Sequence, residues 1–264
     1  MQVTTNEFIN RYDSMILNPL MREYFGQKGF FNLGYWLSNT QSVQESCENL
    51  MEKLLEFIPQ KKGKILDVAC GLGATTSYLL KYYSPADIVG INISTKQLEK
   101  CKVNAPGCNF IIMDAVQMIF EDNSFDNVIC VEAAFHFDTR ERFLQEAWRV
   151  LKPGGYLILS DIIFKKRLLT DDWMLLENKN VQNIKEYKDL YLKAGFQDIE
   201  IIDTTNESWI EFHRRLKPSL LKEYQDGNLD ESTYRYYLDI TDEKLNSGNQ
   251  YILVSAKKRK TLEC

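Results

Sequence analysis

Residues 65–73, I-L-D-V-A-C-G-L-G, place a carboxylate, Asp67, inside an apolar run and follow it with Gly71 and Gly73. An apolar run that meets two glycines predicts a strand turning tightly into a helix near residue 74 or 75. There the missing Cβ atoms let a small ligand approach the backbone. A pyrophosphate at such a turn calls for G-x-G-x-x-G, yet position 76 is Thr and an acidic side chain stands four residues before the first glycine. An anion is therefore not the natural guest.

Proton chemistry has few candidates, because the chain holds two histidines. His136 lies in V-E-A-A-F-H-F-D-T-R and His213 in W-I-E-F-H-R-R. An imidazole titrates near neutral pH, which makes His136 the candidate general base; the same ring could instead hydrogen-bond a cofactor or cap a helix. His213, beside two arginines, has the pattern of a solvated helix face. Asp161 closes Y-L-I-L-S-D, where a carboxylate orients the imidazole, touches substrate or caps the next segment. Glu132 precedes His136 by four residues and supports the loop. The six cysteines contain no C-x-x-C pair, so they read as reduced, structural thiols, and no metal site is expected.

These residues hang on a regular alternation. Short apolar runs at 65–69, 86–92, 109–114, 125–132, 156–161, 199–203 and 250–256 alternate with helical patterns at 75–82, 94–102, 140–150 and 183–194. Gly195 is placed to cap the last of these helices, and Pro153-Gly154-Gly155 predicts a turn before the fifth strand. Continuous rather than alternating apolar runs belong to strands covered on both faces, so the fold class is α/β, a seven-stranded, doubly wound and mostly parallel sheet. Residues 1–60 fall outside the alternation as an N-terminal helical cover. Residues 61–264 form the main domain, with a helical stretch at 204–249 inserted between strands six and seven. That insertion reads as a lid over the site or as a packing helix.

Composition narrows the partners. With 264 residues, 44% of them hydrophobic, there is material for one sizeable domain, and a net charge of −5 gives no footprint for a polyanion. Nucleic acid is not expected. Neither a signal-like N-terminus nor an apolar stretch of spanning length is present, so no membrane association and a cytoplasmic location are expected. The terminal K-K-R-K-T-L-E-C reads as a solvated tail rather than a targeting tag.

L66-D67-V68-A69-C70-G71-L72-G73 resembles motif I of the class I S-adenosylmethionine-dependent methyltransferases, hydrophobic-x-D/E-x-G-x-G-x-G, with Ala69 in place of the first glycine. The resemblance extends over about residues 30–165 through V-G-I-N-I-S (89–94), M-D-A (113–115), C-V-E-A (130–133) and L-K-P-G-G-Y-L-I (151–158). It implies the fold given above and S-adenosyl-L-methionine as cofactor. By the resemblance, Asp67 orients the loop and receives the ligand's ammonium group through hydrogen bonds or water, and Ala69, Gly71 and Gly73 shape the turn. Asn92 and Ile93 stand where an acidic residue usually holds the ribose, a task Gln97 shares, while Asp114 and Ala115 meet the adenine and Glu132 closes the cofactor set. The segment F-F-N-L-G-Y-W (30–36) is similar to an aromatic loop that, with the helices before it, covers the methionine end in small-molecule methyltransferases, an aromatic plug in the core being the alternative; Tyr12, Gly34, Tyr35 and Trp36 are the candidates for that cover.

The implied reaction is methyl transfer to a small natural product, an O-methylation of a hydroxyl with His136 as general base and Asp161 beside it. N- or C-methylation is the alternative. Phe135, Phe137, Phe164, Trp173, Trp209, Phe212, His213, Tyr236 and Tyr237 are candidates to frame an apolar or amphipathic substrate, although aromatics at helical spacing also build cores. A macromolecule methyltransferase calls for a basic face and N/D-P-P-Y/F after strand four, where this chain reads E-A-A-F. A silent binding protein is disfavoured by the intact Asp67, Gly71, Gly73 and Asp114. A homodimer is left open.

Overall fold

The continuous apolar runs become strands because helices cover both faces of the sheet they form. The computed structural model describes residues 5–165 and 181–259; Trp173, Cys264 and the end of the basic tail lie outside the described residues. Strands β1 (Ile65–Val68), β2 (Ile88–Asn92), β3 (Asn109–Ile112), β4 (Phe125–Val131), β5 (Leu151–Ile163), β6 (Phe196–Asp203) and β7 (Gln250–Lys258) lie in the order β3-β2-β1-β4-β5-β7-β6. The first five in that order are parallel. β7 is antiparallel to both of its neighbours.

Alternate residues serve the two faces, as the two-residue period of a strand requires. Leu66, Val68, Val128, Cys130, Leu157 and Leu159 pack with α6 (Arg140–Val150) and α7 (Ile184–Ala194). Ile65, Ile129, Ile158 and Leu253 pack with α3 (Val43–Glu56) and α4 (Ala74–Leu79) on the other side. α5 (Thr95–Asn104) follows β2. Local capping sets helix starts: Ser94 accepts from the Gln97 amide and Thr139 from the Arg142 amide. Gly195 ends α7 in the left-handed region, φ 97°.

Pro153-Gly154-Gly155 does not make a turn ahead of the fifth strand. The strand begins at Leu151, and the triplet lies inside it as an irregularity: Phe125 pairs with Leu151, but Asn127 pairs with Tyr156. A Cβ on Gly155 would lie 2.6 Å from the Asp126 carbonyl oxygen, so glycine is what lets the extra residues fold against β4.

Two further groups of helices lie outside the sheet-and-helix alternation. α1 (Thr5–Ile16) and α2 (Pro19–Phe25) precede the sheet, and α8 (Glu211–Gln225) and α9 (Glu231–Leu245) lie between β6 and β7, after a π-helical turn at Asn206–Ile210. Phe212 of α8 sets its ring 5.8 Å from Phe25 and 5.9 Å from Tyr24 of α2. The insertion thus buttresses the N-terminal helices. No helix of the described residues is long and apolar enough to cross a membrane.

Candidate active site

Where β1 ends, the backbone enters the left-handed region at Ala69 (φ 57°), Gly71 (56°) and Gly73 (84°). Each glycine has its own reason. A Cβ on Gly71 would have only Ile16 Cδ1 nearby, at 3.9 Å, so the space above this peptide belongs to a cavity. A Cβ on Gly73 would strike Cys101 Cα at 2.8 Å; this glycine seats the loop against α5 and does not line the cavity.

Asp67 sits behind the loop. It is 1% exposed, lies outside the cavity wall, and accepts the Thr75 and Thr76 hydroxyls at 2.6 Å each. Burial pushes its carboxyl up to about 6 against the pull of those two donors. Its contacts with Thr75 and Thr76 hold the start of the helix behind the loop, and its carboxylate does not line the cavity.

The cavity runs over the ends of β1, β2 and β4. Ala69, Gly71, Asn92, Ile93, Gln97, Asp114, Ala115, Glu132, His136, Phe137 and Tyr12 all line it. Asn92 Nδ2 donates to Gln97 Oε1 at 3.0 Å, and Asn92 Oδ1 accepts the Ser94 amide at 2.9 Å. Asp13 of α1 ties this group to the N-terminal cover, accepting Ser94 Oγ and Gln97 Nε2 at 2.7 Å each. Asp114 accepts the Val116 amide at 3.0 Å. His136 ends the short helical turn Ala134–His136, with ring centroids 4.1 Å from Phe135, 5.4 Å from Phe8 and 5.5 Å from Tyr12.

Other expected site residues stand elsewhere. Asp161 is fully buried in β5, where it accepts Arg140 Nε and the Tyr187 hydroxyl at 2.7 Å each and the Ile162 amide at 2.8 Å. Those donors saturate it inside the core, away from the cavity wall. Trp36 is buried under the Arg215 guanidinium and donates Nε1 to the Leu33 carbonyl, and the Tyr35 amide donates to the Ser46 carbonyl. Gly34 packs on Ser46, so the 34–36 segment is a structural clasp and not the cavity cover.

The proposed substrate aromatics pack chiefly on one another. Phe135 meets Phe164 at 5.5 Å, Phe164 meets Trp209 at 6.4 Å, and His213 is wedged between Trp209 and Phe212. None of these five lines the cavity. His213 is no solvated-face residue: it is 3% exposed, its Nδ1 lies 2.7 Å from the Trp209 carbonyl, and burial lowers its pKa to about 3. Tyr236 is 56% exposed and leans on Tyr237.

Around the cavity, the N-terminal region contributes Phe8, Ile9 and Ile16 of α1, which were not among the named candidates, together with Phe30, Phe31 and Asn32 of the 30–36 segment. The spacing of Ile9, Tyr12 and Ile16 is one helical stripe, a signal present in the sequence. Asp13 carried no local signal, because its partners lie 81 and 84 residues away.

In a mostly parallel sheet of this order, a glycine turn under a cavity at the carboxyl ends of the strands is where α/β folds bind their ligands. A model of the methyltransferase domain matches residues 66–159. The chain is 30% identical over 207 residues to the methyltransferase GfsG of Streptomyces halstedii, spanning 72% of this chain and 73% of that protein. It is 25% identical over 270 residues to the erythromycin 3''-O-methyltransferase of Saccharopolyspora erythraea, spanning 87% and 83%. Among solved structures, the (4+2)-cyclase SpnF aligns with a TM-score of 0.76 at 18% identity over 99% of each chain. The Haemonchus contortus phosphoethanolamine N-methyltransferase 2 holding S-adenosylhomocysteine aligns with a TM-score of 0.75 at 21% identity, over 98% of this chain and 61% of that one. At such identities the structural likeness speaks for the fold. The chain belongs to the class I S-adenosylmethionine-dependent methyltransferases of the small-molecule type. It is a methyltransferase whose cofactor is S-adenosylmethionine.

Proposed function

We propose that the protein methylates a hydroxyl of a small natural product, with His136 as general base. The observation that carries this reading is that the only cavity-lining imidazole among the described residues shares its cavity with the glycine shelf. Phe8, Tyr12 and Phe135 fix its ring. In this reading Ala69 and Gly71 offer the shelf, Asn92 and Gln97 the hydroxyl-binding amides, and Asp114 with Ala115 the far end. The open space over Gly71 supports the fit of the cofactor, and the cofactor supplies an electrophilic methyl group. Phe8, Ile9 and Tyr12 of α1 screen the site from water, and His136 removes the proton of the attacking hydroxyl.

The first test incubates the chain and S-adenosylmethionine with hydroxylated macrolides and related polyketides, reading the gain of one methylene by mass. His136→Asn is expected to lower turnover about 100-fold or more, the scale of a general base, while binding of S-adenosylhomocysteine by calorimetry stays within a few-fold. Turnover near wild type in that variant removes the imidazole from the role.

A further inference from the structure

Glu132 follows β4 directly in a left-handed conformation, φ 51°, and lines the cavity. Its two oxygens are treated differently by the fold. Oε2 accepts both the Leu33 amide at 2.9 Å and the Tyr251 hydroxyl at 2.7 Å. Oε1 has no hydrogen-bond partner among the described residues. The side chain is part-buried, so Oε1 faces the open space of an aromatic-lined cavity, where a ligand or a proton can complete it.

We propose that Glu132 is the proton store of the site, ionised while a sulfonium shares the cavity and protonated at Oε1 once that positive charge is gone. The inference rests on the reading of this cavity as the methyl-donor site. Its surroundings are mixed: Tyr12 on α1, Cys47 on α3, Asp161 on β5, Tyr251 on β7 and Lys244 on α9 face it, with His136 four residues along its own loop. Burial is the main influence and, with Asp161, pushes the carboxyl up to about 7, while Leu33, Tyr251 and Lys244 pull the other way. A cation held nearby lowers such a group by roughly one to three pH units, enough to empty it at neutral pH.

The proton balance of methyl transfer then closes inside the cavity. The acceptor's O–H bond breaks, an O–C bond forms, and the C–S electron pair stays on sulfur, which becomes neutral. The hydroxyl proton, removed by His136, comes to rest on Glu132 just as that carboxylate loses its cationic neighbour.

The test needs no acceptor. Binding of S-adenosylmethionine and of S-adenosylhomocysteine is measured calorimetrically at pH 7 in phosphate and in Tris, whose different ionisation heats reveal the protons released. Because the ligands' own amino groups titrate, the deciding quantity is the difference between wild type and Glu132→Gln. Wild type is expected to release roughly half a proton more than the variant on binding the sulfonium, as follows from a group half protonated at pH 7, and no more than the variant on binding the thioether. Tyr251→Phe, which removes a donor from Oε2, is expected to keep the sulfonium effect and move its maximum to higher pH. Equal release by wild type and Glu132→Gln overturns the proposal, as does loss of the effect in His136→Asn alone. Should Glu132→Gln fail to fold, the Tyr251→Phe shift and the His136→Asn control decide in the same way. Failure of either ligand to bind wild type would instead overturn the methyl-donor reading.

Discussion

Gly71 is the residue on which the cofactor shelf turns. Its φ of 56° is one that a β-branched side chain resists, and the only neighbour within 4 Å of an added Cβ is Ile16 Cδ1. Gly71→Val is therefore expected to abolish cofactor binding by calorimetry through filled space and strained backbone together; binding of wild-type strength would show that ligands do not use this shelf. Asp161 makes the opposite case. Its sequence context put it at the rim, yet it is locked to Arg140 at 2.7 Å with side chains 7% and 0% exposed. Arg140→Met leaves a buried charge uncompensated, so a loss of about 3–5 kcal/mol is expected in urea unfolding, with bound-state affinity for S-adenosylhomocysteine retained in the molecules that stay folded. An unaltered unfolding midpoint would contradict the structural role. What separated the two residues in advance was chemistry: a glycine's backbone freedom is visible in its type, whereas a carboxylate's partner, here 21 residues away, is not.

At the scale of elements, all seven strands and the four helices expected between 75 and 194 were legible, because burial on both faces writes continuous apolar runs into the strands. Element function was less so. The 204–249 insertion was found, but its aromatics turn to α2 and to each other. The cover is α1, whose attachment depends on one carboxylate. Asp13 is 3% exposed and holds Ser94 and Gln97, two residues of the cavity wall, at 2.7 Å each. Hydrogen bonds to a charged acceptor contribute about 1.5–3 kcal/mol each. Asp13→Ala is thus expected to speed cofactor release by about 10- to 100-fold in stopped-flow and to raise amide exchange across α1. Exchange rising while the release rate stays at the wild-type value would make α1 a structural appendage and not a cover.

For the whole molecule, three of the described groups titrate against the fold over overlapping pH windows, and they do so with opposite signs. His213 has an ordinary value near 6.5 and a folded one near 3, so below 6.5 the unfolded chain binds the extra proton and stability falls as pH drops. Asp67 and Glu132 are raised, to about 6 and about 7, from 3.8 and 4.5. For them the folded chain holds the proton more tightly, so stability falls as pH rises through the window between those values. Each group changes stability by about 1.4 kcal/mol per pH unit inside its own window. Urea unfolding at pH 5, 6.5 and 8 checks the signs: His213→Gln is expected to gain most, relative to wild type, at pH 5, and Glu132→Gln at pH 8. A Glu132→Gln gain that does not grow with pH would mean that this carboxylate is ionised without penalty in the folded protein. The aromatic cavity would then have to be wetter at the end of β4 than its lining residues make it.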